Sequence, residues 1–301
     1  MLIFSYNLSP TLSESLKNID KLRSQILLTP IPPVTLHQLT YSATLTHLAG
    51  WATLSNQPLT ALALENILQG PGDNRPSSSF EKKAADYRAT LNHLWLDWTA
   101  NPKTITTADL KNLAGILGVS FRHEEEVDSL LGYIQTGTVH PLIQSAITHL
   151  YFYPSRLAYL SSLLIMYKHG YDLHRLITLE DYWNQDKSEY LKVLQSATKL
   201  GQITLWLEYY CQAVLRQMET IKKNLAQPPA ARQPAAFWQL TDRQKSILTL
   251  LDPPGSTVTN HFLQARFTIS QITASRDLAK LTALNLLIPH GRGRSTSYTR
   301  A

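Results

Sequence analysis

The sequence predicts a mainly α-helical protein that ends in a small mixed α/β domain. Apolar residues recur at three- and four-residue spacing through most of the first 225 residues, which is the period of amphipathic helices. Clear two-residue alternation, the period of strands, is scarce in the same region. Residues 226–236 contain three prolines and no large apolar side chain, so we expect a semi-rigid spacer there. The predicted organisation is a helical domain at 1–225, a linker at 226–236 and a second domain at 237–301.

The helical domain is expected to hold several helices whose apolar stripes pack together as its core. The predicted helices span residues 12–27, 41–53, 60–68, 80–99, 107–117, 125–133 and 141–152. Pro10 suits the first turn of the first helix, with Ser9 before it, and Thr107 should open its helix in the same style.

The second domain has a different pattern. Thr241 and Gln244 have the spacing of a capping box, at the start of a helix that runs to about Leu251. The remaining predicted elements are helices at 260–266 and 270–285 and a β-hairpin formed by 286–288 and 295–299. Three helices followed by a hairpin indicate a winged helix-turn-helix, in which the hairpin is the wing.

The positive charge of the chain is concentrated in this second domain. The whole chain carries a net charge of +6 and has a pI of about 9.3. Residues 237–301 hold eight basic and three acidic residues, which gives +5, so the rest of the chain contributes +1. A basic domain beside a nearly neutral one indicates a polyanionic partner for the basic domain alone. We therefore expect residues 237–301 to bind double-stranded DNA.

The third helix of this domain is the expected recognition helix, because the second helix of a helix-turn-helix pair enters the major groove. Its early outward face and the wing supply hydroxyl, amide and cationic groups that suit base edges and phosphates. The residues expected to contact DNA are Ser270, Gln271, Thr273, Ser275, Arg276, Lys280, Arg292 and Arg294. Residues 270–278, 291–295 and Tyr298 resemble the winged modules of bacterial DeoR-like regulators. The alternative is a winged module that contacts another protein.

Four stretches of the helical domain carry a second resemblance. Residues 55–60 and 64–70 are similar to the segment around the inhibitory helix of Fic (Fido) proteins. Residues 140–149 resemble the helix upstream of the Fic catalytic loop, and residues 156–172 resemble the helix after it. The resemblance spans most of residues 40–225 and implies a Fic-like helical domain, to which winged modules of this kind are frequently joined.

The resemblance does not extend to the Fic active site. The resemblance implies a family whose active enzymes transfer AMP from ATP to a protein hydroxyl. These enzymes use a loop of the form H-P-F-x-[D/E]-G-N-G-R. Its histidine acts as a base, its acid holds a divalent metal, and its last residues bind phosphates. Here His140 and Pro141 are followed at 142–148 by no acid, glycine or arginine. The chain between the two matching helices is short by about eight residues. His149 and Arg156 are what remain at the degenerate nucleotide site.

Two further departures from the family agree with this loss. The target-positioning hairpin would lie between Arg122 and the helix predicted from residue 125, where there is no room for it. Ser55 occupies the position that matches the family's inhibitory glutamate. Without loop, hairpin and inhibitor, we expect a catalytically inactive Fic-like domain with no catalytic residue, no metal and no cofactor. The acidic run at 123–126 is expected to be a solvated helix start rather than a metal site.

The leading hypothesis is a DNA-binding transcriptional regulator whose helical domain serves as a homodimer contact or senses a protein partner. One alternative is a Fic-type adenylyltransferase with a divergent site, in which His140 or His149 is the base and Arg156 anchors phosphate. A second alternative is a non-enzymatic scaffold or antitoxin-like protein.

The expected location is the cytoplasm. The start of the chain shows no basic leader and no long apolar stretch, and no apolar run of 18 residues predicts a membrane span. The single cysteine, Cys211, excludes an internal disulfide.

Overall fold

The computed structural model describes residues 4–60, 63–64, 67–68, 78–136, 138–226, 240–251, 256–284, 286–291 and 296–300. The described residues are mainly α-helical, with one small sheet near the C-terminal end, which confirms the predicted fold class. The helices are α1 (Pro10–Leu27), α2 (Pro33–Leu54), α3 (Ser79–Trp98), α4 (Thr107–Leu117), α5 (Glu124–Ile134), α6 (Pro141–Phe152), α7 (Leu157–Lys168), α8 (Leu179–Gln185), α9 (Lys187–Leu200), α10 (Thr204–Leu225), α11 (Asp242–Leu250), α12 (Asn260–Phe267) and α13 (Gln271–Ala283).

Helices α6 and α7 form the centre of the part that precedes residue 227. Every residue of α6 from Leu142 to Phe152 is buried, and so are all but one of the residues of α7 from Leu157 to Tyr167. A helix that is buried on all sides must be surrounded by other helices. In agreement, α6 packs against α5, α7, α9 and α10, while α1 packs along α10 and α2 along α8.

Helix starts follow the capping chemistry of the sequence, with one correction. Ser9 caps α1 by accepting from the backbone N–H of Leu12 at 3.1 Å. The cap of α4 is Thr106 rather than Thr107, because Asp109 three residues later completes a capping box with Thr106. Helix α2 begins at Pro33, eight residues before the predicted start at 41, and most of the helix predicted at 60–68 lies outside the described residues.

A glycine allows α2 and α8 to approach closely. A Cβ atom at Gly50 would lie 2.9 Å from Cβ of Glu180, a distance that real Cβ atoms do not occupy. The side-chain amide of Asn184 donates to the carbonyl oxygen of Gly50 at 2.8 Å and fixes this contact. The close approach brings the first turn of α8 against the C-terminal part of α2.

In the described residues that follow residue 239, three helices combine with a three-stranded antiparallel sheet. Its strands are β1 (Val258–Thr259), β2 (Leu287–His290) and β3 (Ser297–Arg300), in the spatial order β1-β3-β2. The β2–β3 register pairs Leu287 with Arg300 and His290 with Ser297. The predicted helices and hairpin are present, but β1 was not predicted.

None of the helices in the described residues combines the length and the apolar character that a bilayer-spanning segment requires.

Candidate functional site

Helix α13 has one buried face and one exposed face. The buried face recurs at three- and four-residue spacing and consists of Ala274, Asp277, Leu278 and Leu281. The opposite face is exposed over the first two turns at Gln271, Ile272, Ser275 and Arg276. We refer to these four residues as the α13 stripe. Two other residues predicted to contact DNA, Thr273 and Lys280, are half-buried beside the stripe.

The first residue of α12 connects this helix to α13. Nδ2 of Asn260 donates to the carbonyl oxygen of Gln271 at 3.2 Å and to Oγ of Ser275 at 2.7 Å. Because the two acceptors are one turn apart on α13, these bonds fix how α12 and α13 are oriented. Sequence reasoning missed Asn260, since a contact across 11 and 15 residues has no local pattern.

Ser270 caps the start of α13. Its Oγ accepts from the backbone N–H of Thr273 at 3.2 Å and lies 2.9 Å from Oγ1 of the same threonine. These two predicted DNA-contacting hydroxyls therefore hold the first turn in place, and the stripe residues project beside them.

A buried carboxylate attaches the other side of α13 to α11. Asp277 is 4% exposed. Its Oδ2 accepts from Nε of Arg243 at 2.6 Å, and its Oδ1 accepts from Nε2 of Gln244 at 2.8 Å. The hydrogen bond to Asp277 raises the pKa of Arg243. Gln244 also completes the predicted capping box with Thr241, so one network holds the start of α11 and the middle of α13 together.

The arginines that the structure describes in this part fall into two groups. Arg243 is paired with Asp277, and Arg300 donates from Nη1 to the carbonyl oxygen of Leu248 at 3.2 Å, where burial lowers its pKa. Arg276 on the stripe and Arg266 at the end of α12 are exposed. The predicted wing arginines, Arg292 and Arg294, lie outside the described residues.

His149, predicted at the degenerate nucleotide site, lies in the core of the helical part. Its side chain is fully buried, with Nε2 2.9 Å from the hydroxyl of Tyr190 and Nδ1 3.5 Å from Oγ of Ser162. Burial lowers its pKa to about 3, so the ring is neutral and weakly basic at pH 7. Five aromatic rings surround it at centroid distances between 4.8 and 6.2 Å: Tyr159, Trp183, Tyr190, Trp206 and Tyr210. A general base has to reach its substrate, and this environment suits a core residue instead.

Arg156 lies in the short connection between α6 and α7, at 153–156. Its Nη2 donates to the carbonyl oxygen of Leu117 at 3.0 Å, and its Nη1 donates to that of Lys83 at 3.5 Å. Its guanidinium carbon is 5.8 Å from the ring centroid of Trp51, and burial lowers its pKa. Arg156 thus joins the start of α7 to the ends of neighbouring helices through donors that a phosphate anchor would use.

The other two positions marked by the family resemblance are also at helix ends. Nδ1 of His140 accepts from the backbone N–H of Leu142 at 3.2 Å, which caps α6. Ser55 is the residue at the C-terminal end of α2. There the ammonium group of Lys187 donates to the carbonyl oxygen of Leu54 at 2.8 Å, a favourable position for a cation.

Sequence reasoning missed a buried carboxylate between α2, α3 and α8. Oε2 of Glu180 lies 2.9 Å from Nδ1 of His47, and Oε1 accepts from the hydroxyl of Tyr87 at 2.5 Å. Burial raises the pKa of Glu180, but the charge of His47 and the hydrogen bonds from His47 and Tyr87 outweigh it, so the net pKa is lowered. The partners are 133 and 93 residues from Glu180 in the sequence, so spacing carried no signal.

Over the described ranges, no group of three His, Cys, Asp or Glu side chains is placed to hold a metal ion. The acidic residues Glu124, Glu125 and Glu126 form the first turn of α5, where the helix dipole favours carboxylates.

The architecture is a Fic-like fold. A Fic family protein from Desulfovibrio desulfuricans G20 superposes with a TM-score of 0.60 at 15% sequence identity, over 98% of this chain and 97% of that one. A Fic domain containing signaling protein from Bacteroides thetaiotaomicron VPI-5482 superposes with a TM-score of 0.52 at 14% identity, over 70% of this chain and 97% of that one. At these identities the likeness concerns the fold alone. No protein-family model and no curated protein matches the sequence.

Proposed function

We propose that this chain is a DNA-binding transcriptional regulator built on a Fic-like helical domain. In this proposal residues 237–301 form a winged helix-turn-helix, residues 226–236 are its linker, and residues 1–225 form the helical domain. The observation that carries the proposal is the α13 stripe, which presents an amide, an apolar group, a hydroxyl and a guanidinium on one exposed face. The concentration of +5 of the +6 net charge in residues 237–301 adds the attraction that a phosphate backbone requires.

The Fic-like domain is proposed to be catalytically inactive. The sequence lacks the acid and glycines of the Fic loop at 142–148. The two surviving candidates are engaged elsewhere: His149 in the aromatic core and Arg156 with backbone carbonyls. The proposed role of this domain is to form a homodimer or to bind a regulating protein, and pairing two half-sites would increase affinity for DNA.

A genomic DNA pull-down with the full chain tests the DNA-binding proposal. The wild type is expected to enrich a limited set of fragments, and the Arg276→Ala/Arg292→Ala/Arg294→Ala variant is expected to lose that enrichment. Each phosphate contact removed should also lower the slope of log affinity against log salt by about 0.9.

The matched control removes the same charge from the helical part. The variant Lys17→Ala/Lys82→Ala/Lys199→Ala changes three exposed lysines and should keep the wild-type enrichment. Background-level recovery with the wild type would contradict DNA binding, and would favour a scaffold or antitoxin-like role.

Incubation of the chain with labelled ATP, magnesium and cell lysate tests the inactive-domain proposal. We expect no transfer of label to protein, because His140 is not followed at 142–148 by the metal-binding acid of a Fic loop. Transfer that disappears in His140→Ala or His149→Ala but persists in His93→Ala would overturn it.

A further inference from the structure

Ile272 is the apolar member of the α13 stripe, whose other three residues are polar. Its side chain is 66% exposed on the first turn of α13, with Gln271 before it and Arg276 one turn later. The apolar side chains that α13 buries in its own fold are Ala274, Leu278 and Leu281, on the opposite side. Ile272 therefore does not serve the core of its own fold, and its position suits contact with another molecule.

The first turn of α13 is held in a defined position. Asn260 is bonded to the carbonyl oxygen of Gln271 and to the hydroxyl of Ser275, and Ser270 caps the helix. Because this turn is already ordered, its side chains lose little conformational freedom when a ligand binds. Such a turn can distinguish ligands by their shape.

The positive charge near Ile272 favours a polyanion as the molecule that binds this surface. Arg276 lies on the same stripe, and residues 237–301 carry a net charge of +5. In the major groove, the thymine methyl is the apolar group of an A·T pair, and adenine offers an acceptor and a donor that a glutamine amide matches.

We propose that the first turn of α13 reads an A·T-containing step of double-stranded DNA. Ile272 contacts the 5-methyl group of thymine, and Gln271 pairs with the major-groove edge of adenine. This inference rests on the proposed DNA-binding function and adds the base identity that the surface recognises.

The test begins with a binding sequence selected by the full chain from a random duplex library. Each thymine of that duplex is then replaced singly by deoxyuridine, which removes only the methyl group. Wild-type protein should lose about fourfold in affinity at one or two positions, the value of one buried methyl group.

The double-mutant comparison assigns this loss to Ile272. Ile272→Ala should bind the thymine duplex more weakly and show no further loss with deoxyuridine at the same positions. Gln271→Ala should lower the preference for adenine by about 5- to 150-fold. Phe262→Ala is the matched control, because Phe262 is another exposed apolar side chain, 45% exposed on α12, and it should keep the wild-type deoxyuridine penalty.

The outcomes separate this inference from the proposal beneath it. A selected duplex whose deoxyuridine penalties are the same in wild type and Ile272→Ala overturns the reading of thymine and leaves DNA binding standing. Binding to DNA without any sequence preference would also overturn the proposed recognition of thymine and leave DNA binding standing. Failure to enrich any duplex overturns the proposed function itself.

Discussion

Replacing Asp277 with alanine is expected to unfold the part of the chain that follows residue 239 and to abolish DNA binding. Asp277 is 4% exposed and holds Arg243 and Gln244 on α11. Its removal leaves the buried amide of Gln244 without this acceptor and takes away the carboxylate that the partly exposed Arg243 bonds, and losing these two hydrogen bonds costs about 3 kcal/mol in total. A unit of this size draws only about 3–5 kcal/mol from its core, so most of its stability would be lost.

Hydrogen exchange on the full chain measures this effect region by region. Peptides from α11 to α13 should lose their protection in Asp277→Ala, while peptides from α6 and α7 should keep theirs. Asp242→Ala is the matched control, because Asp242 is a solvent-exposed carboxylate at the first turn of the same α11 helix and should change stability by less than about 1 kcal/mol. Equal protection in wild type and Asp277→Ala would contradict the structural role assigned to this network.

The variant His149→Gln is expected to remove a large part of the acid sensitivity of the helical part. Burial holds the pKa of His149 at about 3 in the folded chain, against about 6.5 when unfolded. A histidine with a lowered folded pKa stabilises fully above pH 6.5, and this contribution is lost as pH falls towards 3. The difference corresponds to about 5 kcal/mol over that range, or up to about 1.4 kcal/mol per pH unit.

Urea unfolding of wild type and variant at pH 7, 6 and 5 measures the difference in slope. Glutamine does not titrate and keeps a polar group near the hydroxyl of Tyr190, so His149→Gln should show a weaker pH dependence of the free energy of unfolding. His123→Gln, a change to an exposed histidine before α5, should match the wild-type slope. An equal pH dependence of the free energy of unfolding in all three proteins would contradict a buried, neutral His149.

Local patterns in the sequence were sufficient to predict most of the fold. Helices α4 and α6 begin and end where periodicity placed them, and the Thr241–Gln244 capping box is present. Strand β1 was not predicted because it has two residues and pairs with β3 about 40 residues later, through Val258 and Tyr298. No local signal marks such a pairing.

The candidate site was predicted less completely, for a physical reason. Helical periodicity correctly separates Ala274, Leu278 and Leu281 from the exposed side of α13. It did not identify Ile272, because an apolar residue is assigned to a core by default and only its exposure shows otherwise. His149 presents the opposite case: its residue type suggests chemistry, and only its burial among aromatic rings gives its role.

The single cysteine of the chain offers a chemical probe that tells opening of the helical part from unfolding of the part that follows residue 239. Cys211 lies fully buried in α10, and burial raises the pKa of its thiol to about 12. A thiol reagent reacts with the thiolate, so labelling requires α10 to separate from its neighbours. At pH 7, labelling should therefore become faster in any variant whose helical core opens, and it should keep the wild-type rate in Asp277→Ala. The reactivity of Cys211 therefore distinguishes unfolding of the helical part from unfolding of the proposed DNA-binding part.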